Sequence, residues 1–214
     1  MSSKEYFDEV AGRWDQMRET FFSNNVRKAA VKAVQVRPDS VAADVGAGTG
    51  FMTEELLRQG LRVIAVDQSS EMIAMMKKRF GGSDKVDFRL GESASLPIVN
   101  ESVDFVFANM YLHHVERPAV AIEEMVRILK PGGSLVITDA DEHTYEFLRT
   151  EQHDRWLGFK KSDIRAWFIA AGLTEVTVDS VGENCRSKST TTEAQVAISI
   201  FIATGKKELL EGPE

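Results

Sequence analysis

The sequence predicts an α/β chain built on a doubly wound, seven-stranded, mostly parallel sheet, with a helical segment ahead of it. Three observations carry that reading. The apolar run Val41 to Val45 passes straight into glycines at 46, 48 and 50, and then into a helix-patterned stretch from Phe51 to Leu57. Four further apolar runs, at 61–67, 85–90, 102–108 and 134–139, alternate with amphipathic stretches, as parallel strands do when helices cross between them. The last two strand-like runs, 173–179 and 195–203, have no room for a long helix between them and should pair antiparallel.

Composition bounds the rest. A chain of 214 residues with 43% apolar content suits one domain with a substantial core. No run approaches the roughly 18 consecutive apolar residues of a membrane span, and Met1 to Glu5 lack the pattern of a signal peptide. A cytoplasmic protein with no membrane insertion is therefore expected. Cys185 is the only cysteine, which excludes an internal disulfide and a cysteine-rich metal site. A net charge of −7 gives no general attraction for nucleic acid, so a small-molecule substrate is favoured.

Taken in order, residues 1–38 read as a helical cover. Tyr6, Phe7, Val10 and Trp14 fall at helical spacings from Glu5 to Asp15, with Gly12 weakening the pattern. Asn24 or Asn25 is placed to cap a second helix through Val36, which Pro38-Asp39 ends. After the glycine turn, the strand 61–67 closes on Asp67, and Ser69 or Ser70 caps a helix from Glu71 to Phe80. Gly81-Gly82 breaks the chain before an alternating strand at 85–90. The strand 102–108 delivers Asn109-Met110-Tyr111-Leu112-His113-His114-Val115 to the same sheet edge. Pro118 opens a helix to Leu129, Lys130-Pro131-Gly132-Gly133 turns the chain, and 134–139 is the fifth strand. Residues 139–159 should cover the open edge, with a polar helix from about Thr144 to Trp156 in which Glu151 and Arg155 pair. Lys160 to Ala171 is an amphipathic helix that Gly172 ends as a left-handed cap. The 187–192 linker reads as exposed and mobile, and the end of the chain, 206–214, as a charged tail.

The glycine spacing narrows the ligand. A dinucleotide fingerprint places its third glycine where this chain has Phe51, and no phosphate-cradling G-x-x-x-x-G-K-[ST] run exists. Asp44, two residues before Gly46, disfavours a phosphate and suits a cationic ligand. Asp67, at a strand end beyond the turn, is placed to accept the two hydroxyls of a ribose. Met72, in the first turn of the following helix, is placed to pack on an adenine. The stretch Asp44-Val45-Gly46-Ala47-Gly48-Thr49-Gly50 resembles motif I of the class I S-adenosylmethionine-dependent methyltransferases, D-x-G-x-G-x-G, and the resemblance extends over roughly residues 41 to 140. The opening Tyr6-Phe7-Asp8 to Trp14-Asp15 is similar to the lid of small-molecule members, and L-K-P-G-G before a strand is a further family mark.

This resemblance implies a Rossmann-like sheet of order 3-2-1-4-5-7-6 and S-adenosyl-L-methionine as cofactor. It assigns Asp44, Gly46, Ala47, Gly48, Thr49 and Gly50 to the methionine part, Asp67 to the ribose, Gly91-Glu92-Ser93 to the adenine edge, and Gln68 to the cofactor site beside Asp67. Asn109 and Met110 would line the methionine end, and Tyr6 would fold over the cofactor as the lid. Asn109-Met110-Tyr111-Leu112 lacks the prolines of the N/D-P-P-Y/F turn that amine methyltransferases use on nucleobases. The L-H-H-V run resembles small-molecule and quinone methyltransferases instead.

His113, His114 and His143 are the candidate catalytic residues, since an imidazole is a suitable base for a methylation that removes a proton. His143 with Asp139, Asp141 and His153 offers metal-ligand chemistry, but no H-x-x-x-H or comparable spacing is present and no metal is expected. The expected reaction is direct in-line displacement onto a small-molecule acceptor by a monomer or homodimer. A non-catalytic cofactor-binding subunit and a protein or RNA methyltransferase are the alternative classes.

Overall fold

The computed structural model describes residues 2–192 and 194–209. Strands β1 (Val41–Val45), β2 (Arg62–Asp67), β3 (Val86–Leu90), β4 (Val103–Asn109) and β5 (Leu129–Ala140) run parallel. Strand β7 (Gln195–Lys207) lies antiparallel between β5 and β6 (Leu173–Lys188), giving one sheet of order 3-2-1-4-5-7-6. The central strands are buried on both faces, and alternate residues serve different layers. Ala42, Val63, Phe105 and Phe107 pack against helices α3 (Asn25–Lys32), α4 (Phe51–Arg58) and α5 (Ser70–Phe80). Ala43, Val45, Val106 and Ile137 pack against α6 (Pro118–Ile128) and α8 (Lys161–Ala170). No helix among the described residues is long and apolar enough to cross a membrane.

Where the chain departs from expectation, a local cause is visible. The first helix is split into α1 (Ser3–Val10), a 3-10 turn at Ala11–Arg13 and α2 (Trp14–Phe21), with Gly12 in the joint. A reciprocal cap starts α1: the Glu5 N–H donates to Ser2 Oγ at 3.2 Å and the Ser2 N–H to Glu5 Oε2 at 2.7 Å. Helix α3 stops at Lys32 rather than reaching Val36, and the Ser23 hydroxyl, not an asparagine side chain, accepts its first N–H. The Lys130 to Gly133 turn is absorbed into β5 as a bulge. Pairing with β4 jumps from Val103↔Leu129 to Phe105↔Ser134, and Gly132 takes a φ of +78°.

The largest corrections fall after β5. The helix expected over 144–156 is only α7 (Phe147–Glu151), because His153 adopts a φ of +60° and turns the chain back. Glu151 does not pair with Arg155. It accepts from the Ser189 hydroxyl and the Thr190 N–H, both at 2.7 Å, and from the Thr191 hydroxyl at 2.9 Å. That clamp draws part of the expected exposed linker inward: β6 runs on to Lys188, and Ser187 and Ser189 are buried, while Lys188 and residues 190–192 stay exposed. A β-bulge at Gly182, φ +79°, bends the extended β6–β7 hairpin. Strand β7 also continues to Lys207, into the expected tail, of which 210–214 lie outside the described residues.

Candidate functional site

The glycine turn is held to the sheet at its first two residues. The N–H groups of Gly46 and Ala47 both donate to the Val66 carbonyl, at 2.9 and 3.0 Å. Gly46, Gly48 and Gly50 have φ of +69°, +55° and +97°. Side chains are excluded at two of them by packing as well: a Cβ at Gly46 would lie 2.1 Å from the Tyr111 ring, and one at Gly50 2.4 Å from Phe80. Asp67 ties the turn to the next helix, accepting from the Gly48 N–H at 2.8 Å and the Ser69 N–H at 2.9 Å. Asp44 accepts from the Thr53 hydroxyl at 2.7 Å.

A cavity opens over this turn. Asp44, Gly46, Ala47, Gly48, Asp67 and Gln68 line it, with Met72, Asn109 and Met110. Thr49 and Gly50 shape the turn without lining the cavity: the Thr49 hydroxyl donates to Asp15, and Gly50 is the left-handed residue before α4. Glu92 and Ser93 stand in an adjoining cleft with Gln68 and Tyr111, while Gly91 packs under Pro97. Seven residues that line the cavity were not among the expected cofactor residues: Phe7, Trp14, Arg18, Phe22, Phe51, Met52 and Tyr111. Trp14 lies over the turn, its indole nitrogen 3.5 Å from where a Gly48 Cβ would be. The cover is pinned by Asp15 on Thr49 and by Asp8, which accepts from the Ser69 hydroxyl at 2.6 Å.

The cavity is electrically two-ended. Burial pushes the Asp44 carboxyl up to about 7 against the Thr53 hydrogen bonds that favour its charge, with Asp67 adding to the rise. Asp67 is raised in the same way, its backbone hydrogen bonds opposing burial. Arg18 is only 8% exposed, burial lowers its guanidinium pKa, and its Nε has no hydrogen-bond partner. The guanidinium carbon sits 4.4 Å from the Phe51 ring centroid. A buried acid and an under-partnered buried cation in one cavity fit an amino acid's ammonium and carboxylate.

A second cavity adjoins the first, and Phe7, Trp14, Phe22 and Met110 line both. His113, His114 and His143 stand here, as does Tyr6, whose ring lies 4.8 Å from that of His153. Tyr6 thus faces the second cavity, while Phe7 and Trp14 reach the glycine turn. The 3-10 turn Leu112–His114 presents the paired histidines, and the β6–β7 hairpin adds Cys185, Ser187 and Ile198. His113 Nδ1 is 2.6 Å from Asp139 Oδ1, and its Nε2 is 3.8 Å from Asp154 Oδ1. The two carboxylates hold His113 up at about 9 despite its burial. His114 is pushed well down by burial and by the neighbouring His113 charge. Burial, with the His113 charge, also lowers His143, whose Nδ1 accepts from the Tyr145 N–H at 3.3 Å. The four-residue set proposed from sequence is not assembled: Asp141 accepts from the Ser199 hydroxyl and Asp139 serves His113. Asp154 carried no sequence signal, and Arg18 could have been noticed only as one turn beyond Trp14 on the covering helix.

Residues 43–137 match the family described as a methyltransferase domain. A demethylmenaquinone methyltransferase from Renibacterium salmoninarum is 34% identical over 147 residues, 67% of this chain. The match spans 61% of that relative, so the chain covers less than two thirds of its length. Among solved structures, the methyltransferase of a Haloferax volcanii complex with the Trm112 activator is 22% identical with a TM-score of 0.77, covering 94% of this chain and 97% of that one. An S-adenosylmethionine-dependent methyltransferase from Aquifex aeolicus is 19% identical with a TM-score of 0.68, covering 93% and 97%. These two likenesses speak to the fold.

Proposed function

We propose that this chain is a class I S-adenosylmethionine-dependent methyltransferase, a reading supported by its likeness to the methyltransferase domain family and to demethylmenaquinone methyltransferases, and that it methylates a small aromatic acceptor held in the second cavity. The observation that carries this reading is the meeting of the two cavities at Met110, Phe7 and Trp14. When bound, the cofactor supplies an electrophilic methyl carbon on a positively charged sulfur. Asp44 and Arg18 are the partners for the two charged ends of its methionine part, Asp67 for the ribose, and Gln68, Met72, Glu92 and Ser93 for the adenine side. Asn109 stands at the methionine end, its side-chain oxygen fixed by the Thr138 hydroxyl at 2.7 Å. Phe7, Trp14 and Phe22 exclude water from the junction, which keeps an acceptor atom oriented toward the first cavity.

The acceptor class follows from the second cavity's walls. Tyr6, Phe21 and Trp156 join the shared aromatics, which suits a flat apolar ring. His113, His114 and Asp154 form its polar end, where a ring hydroxyl and the proton it releases would be received. The Renibacterium relative's name supports a quinone-like ring. Single-turnover reactions with hydroquinones, phenols and small thiols, read by a one-methyl mass gain, test the proposal. Methylation of a hydroxylated ring is expected. Tight cofactor binding with no transfer to any acceptor would instead mark a binding subunit.

A further inference from the structure

Two histidines from the turn after β4 and one aspartate from the loop after α7 converge at the polar end of the second cavity. His113 Nε2 and His114 Nδ1 each stand 3.8 Å from the same atom, Asp154 Oδ1. Donor atoms of the three residues all lie within 4.8 Å of one another. The residues are 8%, 8% and 9% exposed. At 3.8 Å neither contact is a hydrogen bond. His114 Nδ1 and Asp154 Oδ1 have no hydrogen-bond partner, although both are fully buried. Nitrogen and oxygen ligands about 2.0–2.2 Å from a tetrahedral zinc stand roughly 3.3–3.6 Å apart, so the two imidazole-to-carboxylate distances need to close by only a few tenths of an ångström, and the two imidazoles, within 4.8 Å, by about an ångström at most.

The surroundings have the supporting shell that a metal-ligating histidine uses. His113 donates through Nδ1 to Asp139, which leaves Nε2 facing Asp154. Asp139 is itself fixed by the N–H groups of His113 at 3.3 Å and Ala140 at 2.7 Å. Two buried carboxylates against two imidazoles leave a charge that a divalent ion would balance.

We propose that His113 Nε2, His114 Nδ1 and Asp154 Oδ1 bind a divalent first-row transition ion, such as zinc, with an open coordination position toward the cavity. Two imidazoles and one carboxylate suit such an ion better than magnesium or calcium, which prefer all-oxygen sites. The open position would take an oxygen donor of the acceptor ring. That role rests on the methyltransferase reading; binding of the ion does not. His113 and His114 are adjacent, but Asp154 comes from a loop far along the chain, which is why motif spacing gave no sign of the site.

The test is a cobalt(II) titration of chelator-stripped protein, followed by visible absorption and by displacement with zinc. Wild type is compared with His114→Gln, Asp154→Asn and, as a control from the same cavity, His143→Ala. One cobalt ion per wild-type chain is expected, with affinity at least about 100-fold lower in the first two variants and unchanged in the third. Zinc should raise the melting temperature of wild type and His143→Ala only. Absence of stoichiometric binding by wild type, or equal binding by His114→Gln and Asp154→Asn, would overturn the proposal. S-adenosylmethionine titrated into the same stripped sample reports on the cofactor reading separately.

Discussion

At the residue scale, Asp44 makes the sharpest prediction. Its carboxyl titrates at about 7 in the fold against an ordinary value of 3.8. The folded state therefore holds the proton more tightly than the unfolded one, so the stability this gives is fully present below about pH 4 and lost as pH rises through 7. A shift of this size corresponds to on the order of 4 kcal/mol. Asp44→Asn should flatten the pH dependence of ligand-free stability between pH 4 and 7, measured by denaturant unfolding. A ligand ammonium beside Asp44 favours the ionised form, so cofactor binding near pH 6 should release a proton. Titration calorimetry in two buffers of different ionisation heat would reveal it, and heats that do not depend on the buffer would count against the assignment.

At the element scale, the glycine turn and the N-terminal cover form one unit. Gly50 combines a φ of +97° with Phe80 at 2.4 Å from a Cβ, so Gly50→Ala should lower stability by about 1–3 kcal/mol. Gly12 has neither a positive φ nor any atom within 4 Å of its Cβ position, and Gly12→Ala should be neutral or stabilising by about 0.5 kcal/mol. Equal melting temperatures for the two variants would contradict this account of the turn. Much of this level was legible from sequence. Strand β1 and its glycines announce the turn because apolar periodicity and positive φ both leave marks on residue type. Less legible were the short α7 and the extension of β6 to Lys188, since both depend on Glu151 reaching Ser189, Thr190 and Thr191 across the fold. Local patterning gives Glu151 a nearer partner in Arg155, and tertiary contact overrides it.

At the scale of the whole molecule, the topology brings the carboxyl ends of β1, β2, β4 and β5 to one edge, and the two cavities adjoin there. The crossover pattern foretold that edge. It did not foretell Arg18 in the first cavity or Asp154 in the second, because both arrive from covering segments whose docking no local rule dictates. Tyr6 lines only the second cavity, while Phe7, its neighbour on α1, and Trp14, beyond the joint at Ala11–Arg13, line both. The central claim is that the first cavity holds S-adenosylmethionine, with Asp67 and Arg18 as polar anchors. Isothermal titration of wild type, Asp67→Ala and Arg18→Gln with S-adenosylmethionine and S-adenosylhomocysteine tests it most directly. Each substitution should weaken both ligands by about ten-fold or more, the scale of a lost charge-assisted hydrogen bond. No binding of either ligand to folded wild type, or affinities untouched by both substitutions, would contradict it.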